Sequence, residues 1–143
     1  MVINEMRMTV DSRSVNESFS RTAVAVFAAQ LDPTVEEIND IKTAVSEAVT
    51  NCIVHGYKNT LGKIYITVRI YDNGKVIISI RDKGCGIQDI NKAREPLFTT
   101  LGGDRAGLGF SVMESFMDKL TVRSKVGVGT TVTLCKIIKG RTR

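Results

Sequence analysis

A chain of 143 residues with 43% apolar and 24% charged side chains holds enough apolar material for one packed core and lacks the charge-dense composition of disordered segments. Its net charge of +5 is spread along the chain, and only 6% of residues are aromatic, with no tryptophan, which argues against direct nucleic-acid binding. The longest apolar run, Ala23 to Ala29, is far too short for a bilayer, and the first ten residues lack a signal-peptide core. A cytoplasmic protein with no membrane partner is expected. Cys52, Cys85 and Cys135 are scattered, with no paired-cysteine motif, and read as small apolar fillers.

The first strand is expected from Glu5 to Val10, where Met6, Met8 and Val10 alternate with polar residues. A capping box at Ser14 and Glu17 then opens a helix that runs to about Leu31 and packs through Val15, Phe19, Ala23, Val26 and Phe27. Pro33 and Thr34 begin a second helix, expected from Thr34 to His55. It should bury Val35, Ile38, Ile41, Val45, Ala48, Val49 and Cys52, and Gly56 should end it as a left-handed cap.

The segment "KIYITVRIYDNGKVIISIRD" holds two alternating runs around a turn. A two-residue Asn73-Gly74 turn would set Val68 opposite Ser79, mixing the faces. A three-residue loop, Asp72 to Gly74, pairs Ile70 with Val76, Val68 with Ile78 and Ile66 with Ile80, so that loop is expected, with Gly74 at positive φ. Tyr65, Thr67, Arg69, Ser79 and Arg81 fall on the other face, which is wet or meets a partner. Leu108 to about Asp118 fits a buried helix, and Leu120 to Ser124 and Thr130 to Leu134 fit a final strand pair around Gly127 and Gly129. The end of the chain, with Lys136, Lys139, Arg141 and Arg143, reads as a solvated, partly frayed tail.

These elements imply an α+β fold. It is a two-layer α/β sandwich in which a mixed, mostly antiparallel sheet of about five strands is covered on one face by about three helices. No linker or repeat interrupts the chain, so residues 1–143 read as a single domain.

Three polar clusters fall outside the packing logic. Glu47, Asn51 and His55 stack on one flank of the second helix, because residues four apart share a face. Asp82 ends a strand and is followed by Gly84 and Gly86. Asp104 and Arg105 sit among glycines that lead through Gly107 and Gly109 into the last helix. Each alone has a plain explanation: a solvated helix edge, a strand exit with a turn, or loop flexibility. Together they fit a nucleotide site. Backbone N–H groups at a helix start suit phosphates. A strand-end carboxylate can accept from the amine of adenine. Asn51 offers Mg²⁺ a neutral oxygen, and Glu47, one turn earlier, can take a proton from an attacking hydroxyl.

Glu47-x-x-x-Asn51, Asp82-x-Gly84-x-Gly86 and Gly107-x-Gly109 resemble the three ordered boxes of the ATPase superfamily shared by sensor histidine kinases, DNA gyrase, a heat-shock chaperone and mismatch-repair proteins. Within it, "NESFSR", "AQLDPT", "IKTAVSEAVTN", "HGY", "PLFTT" and "GFSVMESFMD" are similar to the anti-sigma kinases of sporulation. The resemblance implies a homodimeric, ATP/ADP-binding protein serine kinase that sequesters an RNA polymerase sigma factor and, with Mg²⁺, phosphorylates a serine of an anti-anti-sigma factor. It implies Glu47 as base, Asn51 as Mg²⁺ ligand and Asp82 as adenine reader. Gly84, Gly86, Thr100, Gly107, Leu108 and Gly109 become the nucleotide cradle, Arg105 the γ-phosphate contact and Arg21 a partner contact. Three alternatives stay open: an ATP-dependent anti-sigma binding module without essential transfer, a kinase of the general stress response, and the catalytic piece of a histidine kinase. For His55, packing or capping beside Tyr57 is expected rather than chemistry.

Overall fold

A computed structural model of the chain describes residues 1–94 and 109–141. Five strands, β1 (Val2–Asp11), β2 (Lys63–Tyr71), β3 (Lys75–Asp82), β4 (Lys119–Lys125) and β5 (Gly129–Ile137), form one sheet in the order β1-β2-β3-β5-β4. All four neighbouring pairs are antiparallel, so among the described residues the sheet is not mixed. The helices are α1 (Val15–Ala28), α2 (Val35–Asn51), the short α3 (Ile90–Ala93) and α4 (Phe110–Phe116). The sequence pattern gave no sign of α3. No helix among the described residues is long and apolar enough to cross a membrane.

The central hairpin has the register that face-matching requires: Ile70 opposite Val76, Val68 opposite Ile78, Ile66 opposite Ile80. Gly74 has φ 86°, and its N–H reaches the Tyr71 carbonyl at 3.1 Å. The strand period then places Ile64, Ile66, Val68 and Ile70, and Val76, Ile78 and Ile80, on the inner face, all buried against the helices. α2 supplies Ile41, Ala44, Val45, Ala48 and Val49 to this core, α1 supplies Val24 and Ala28, and α4 supplies Phe110 and Met113. Tyr65, Thr67, Arg69, Ser79 and Arg81 lie on the opposite face of the sheet, where Arg81 stacks on Tyr65 at 4.8 Å.

Several local expectations are corrected. The capping box lies at Thr34 and Glu37, not at Ser14 and Glu17. Ser14 is already helical, with φ −58° and ψ −32°, so its hydroxyl makes no cap bond, and Glu17 pairs with Arg21 instead, at 2.9 Å. Thr34 is extended, with ψ 164°, which aims its hydroxyl back at the Glu37 N–H, 3.1 Å away. Val15, Phe19 and Val26 are exposed, because α1 faces the core through Ser20, Val24, Ala25 and Ala28. Val35, in the first turn of α2, is exposed too.

The end of the chain is docked rather than frayed through Arg141. Lys136 follows the inner-face period of Val132 and Leu134. Its ammonium donates to Asp40 at 3.1 Å and to the Phe116 carbonyl at 2.7 Å. The Lys139 and Gly140 N–H groups bond the Glu37 carboxylate, and Arg141 pairs with Asp32. Of the cysteines, Cys52 is buried, while Cys85 and Cys135 are half-buried.

Candidate functional site

α2 ends in one widened, π-helical turn, Cys52–Gly56, in which the Tyr57 N–H reaches back five residues to the Cys52 carbonyl at 2.9 Å. Asn51, Cys52, His55 and Gly56 thereby face one recess. The helical run ends at Gly56, as expected, but Gly56 is not the left-handed cap: Lys58 and Asn59, with φ 52° and 64°, take that conformation. Glycine is needed at 56 for another reason. A Cβ there would stand 2.8 Å from the Asp82 carboxyl carbon.

Asp82 continues the inward alternation of Val76, Ile78 and Ile80, so the sheet period itself turns its carboxylate toward the helix layer. Burial pushes this carboxyl above the ordinary carboxylate range, outweighing the hydrogen bonds from the Gly84 N–H, the Cys52 thiol and the Thr130 N–H that favour its charged form. The Gly84 bond measures 2.9 Å.

The loop after Asp82 is clamped on both sides. The Cys85 N–H bonds the Gly56 carbonyl at 2.9 Å, and the Gly127 N–H bonds the Cys85 carbonyl at 2.8 Å. The Ile87 N–H donates to the Ser124 hydroxyl at 2.7 Å. A Cβ at Gly84 would overlap the Gly56 carbonyl, and one at Gly86, whose φ is 78°, would overlap the Lys125 carbonyl. The protein's own backbone therefore sets these two glycines, in addition to any demand from a ligand.

The recess has apolar walls from Ala48, Ile87, Phe110 and Val132, and polar groups from Asn51, His55, Asp82 and Thr130. The recess has a volume of about 30 Å³. A group larger than a water would have to extend outward from it. Asn51 is 8% exposed and Asp82 5%.

The structure divides the helix-flank row. Asn51 and His55 both line the recess, so His55 is placed with the recess groups rather than apart from them. Glu47 lies outside it, against Gly109, the N-cap of α4. Gly109 has φ 68°, and a Cβ there would overlap the Glu47 carboxylate. Glu47 also borders a groove shared with Arg21 of α1. Thr100, Arg105, Gly107 and Leu108 lie outside the described residues.

Ile87, Phe110 and Thr130 line the recess without having been singled out in the sequence. Thr130 was within reach, because counting back by twos from Leu134 and Val132 puts it on the inner face. Ile87 and Phe110 follow glycines, and nothing in their spacing shows which way those turns send them.

The family model for the histidine kinase-like ATPase domain matches residues 9–136. An anti-sigma F factor from Caldanaerobacter subterraneus subsp. tengcongensis is 59% identical over 141 residues, covering 98% of this chain and 97% of that protein. Another from Thermoanaerobacter sp. (strain X514) is 60% identical over 136 residues, 94% of each chain, and one from Geobacillus kaustophilus is 53% identical over 136 residues, 94% of this chain and 93% of that one. Among solved structures, the RsbU and RsbW domains of a Mycobacterium tuberculosis protein superpose with TM-score 0.68 at 20% identity, over 94% of this chain and 32% of that one. The histidine kinase domain of a blue-light activated kinase from Erythrobacter litoralis gives 0.57 at 17%, over 85% and 61%. These last two share the fold. ATP or ADP is the nucleotide that such an ATPase domain binds. The chain belongs to the anti-sigma F factor family, within the histidine kinase-like ATPases.

Proposed function

We propose that this protein binds and inhibits a sporulation sigma factor and, using Mg-ATP, phosphorylates a serine of an anti-anti-sigma factor. One observation carries the nucleotide part of the reading: a buried carboxylate, Asp82, sits at the base of a recess with apolar walls, held in place by Gly56, Gly84 and Thr130. A carboxylate kept from water in an apolar slot suits the amine edge of a purine, which supplies a donor while its ring covers apolar surface. The close approaches at Gly56 and Gly86 leave no room for a side chain in this floor.

ATP supplies the phosphoryl group, and Mg²⁺ supplies charge neutralisation on it. Asn51, buried beside the recess, would hold the metal through its amide oxygen. Glu47 stands outside the recess, next to Gly109 and the groove that holds Arg21, a position that supports assigning it to take the proton of an acceptor hydroxyl. Gly84, Gly86, Thr100, Gly107, Leu108 and Gly109 complete the nucleotide cradle, with Arg105 on the γ-phosphate and Arg21 on a partner. Residues 1–143 act as one kinase domain in the cytoplasm.

A homodimer is supported by two features. β1 is an edge strand whose Val2 and Ile3 are exposed, and α1 leaves Val15, Phe19 and Val26 on its outer side. Pull-down of a sporulation sigma factor in the presence of ATP or ADP, followed by addition of the anti-anti-sigma factor, tests the whole reading. The sigma factor should be retained and then released. A protein that retains no sigma factor with either nucleotide contradicts it.

A further inference from the structure

α2 buries one flank and leaves a polar stripe on the other. Asn39, Lys42, Thr43, Ser46 and Glu47 follow one another at helical spacing and line a groove of about 310 Å³, with Arg21 of α1 also on it. Packing gives no reason for this stripe, since the core is met by Ile41, Ala44, Val45, Ala48 and Val49. Glu47 gives the groove a direction: it belongs to the stripe, and its carboxylate lies against Gly109, the residue before the recess-lining Phe110. Whatever enters the groove therefore passes the group assigned above as the base.

The charges in the groove differ in kind. Arg21 is already held by Glu17 through two contacts, 2.9 and 3.2 Å. Lys42, half-buried, has no ion pair among the described residues. Among the described residues it is the cation in the groove left to meet an incoming anion.

We propose that this groove receives the phosphoacceptor segment, and that Lys42 reads a carboxylate one or two residues from the accepting hydroxyl. The inference rests on the kinase reading above and adds to it a substrate class, an acidic hydroxyl-bearing segment. The spacing follows from geometry. Lys42 and Glu47 are five residues apart, about 7.5 Å along the helix axis. An extended chain advances about 3.3 Å per residue, so a hydroxyl at Glu47 and a carboxylate at Lys42 belong to neighbouring or next-but-one positions once the lysine side chain bends toward Glu47. Thr43, Ser46 and Asn39 offer hydroxyl and amide groups to the backbone of such a segment.

The test uses the full chain, γ-labelled Mg-ATP and the anti-anti-sigma factor as acceptor, with Lys42→Glu and Lys42→Arg. Lys42→Glu should raise the acceptor KM by about tenfold or more, with kcat within about twofold and ADP affinity unchanged, while Lys42→Arg stays within about threefold of wild type. Replacing by lysine the acidic residue nearest the acceptor serine should raise KM for the wild type, and Lys42→Glu should lower it again. If the wild type labels the acceptor and Lys42→Glu does so with unchanged KM, the groove assignment falls and the kinase reading stands. If Lys42→Glu loses ATP affinity with KM for acceptor unchanged, Lys42 serves the nucleotide and the proposal is overturned. No labelling by the wild type sinks the kinase reading and this inference together.

Discussion

Gly56 and Asp82 touch across the junction between the widened end of α2 and the end of β3. The space a side chain would fill at Gly56 is occupied by the Asp82 carboxylate, whose carbon and oxygens lie 2.8 to 3.0 Å from that position. Gly56→Ala must therefore displace the group assigned to read adenine. The expected outcome is a loss of ADP affinity of about tenfold or more, with a stability cost of about 1–3 kcal/mol from overpacking. Titration calorimetry and urea unfolding measure the two separately. Unchanged ADP affinity would show that the carboxylate does not set the recess.

With Asp82 assigned to read adenine, nucleotide binding should depend on pH. Burial raises its folded pKa above the unfolded value, so over the interval between the two the folded protein holds a proton that the unfolded chain has lost. The contribution of this group to ligand-free stability consequently falls as pH rises through that interval, the reverse of an ion-paired carboxylate. The ionised carboxylate is the stronger acceptor for a purine amine, so ADP affinity should fall as pH drops through the raised pKa. Asp82→Asn should flatten both dependences relative to wild type, as read by thermal unfolding with and without ADP across the acidic range.

Lys136 and Asp40 form an ion pair beneath the sheet–helix interface, their side chains only 11% and 18% exposed. Removing one partner leaves the other charge sheltered from water. Asp40→Ala should cost about 3 kcal/mol in urea unfolding, and the double variant Asp40→Leu/Lys136→Met should recover most of that. Equal losses in the single and double variants would assign the effect to packing instead.

Two helix starts carry the same Ser/Thr-x-x-Glu spacing and should respond differently. Thr34→Ala breaks a formed capping box and should cost about 1 kcal/mol, whereas Ser14→Ala should stay within about 0.5 kcal/mol. Glu37 extends the contrast. Burial favours its neutral form, but hydrogen bonds from the Thr34, Lys139 and Gly140 N–H groups and the Thr34 hydroxyl prevail and hold its pKa below the usual range. Its contribution is present above the unfolded pKa and is lost as pH falls through the folded one. Glu37→Gln should accordingly weaken the acid sensitivity of urea stability.

The same contrast shows where sequence reading succeeds. The hairpin register was legible because a one-residue slip would put Ser79 opposite Val68, a penalty written into the alternation itself. Asp82 was legible because it sits at the end of that alternation. Cap chemistry was not, because Ser14 and Thr34 differ only in backbone conformation, which the flanking chain decides. Gly56 was misassigned for a related reason: the residue type signals that a Cβ is excluded, and here a neighbouring carboxylate does the excluding rather than a positive φ. Lys136 looked like part of a charged tail because its burial depends on Asp40 and Phe116, far away in sequence.

Phosphotransfer to the anti-anti-sigma factor by wild type and Glu47→Ala, each saturated with γ-labelled Mg-ATP and matched for ADP affinity, addresses the central claim most directly. The account predicts acid-stable phosphate on a serine of the acceptor with wild type. It predicts a rate about 10²–10⁴-fold lower with Glu47→Ala, while ADP binding is retained. Transfer by Glu47→Ala at the wild-type rate, or acid-labile phosphate on His55 in place of phosphoserine, would contradict it.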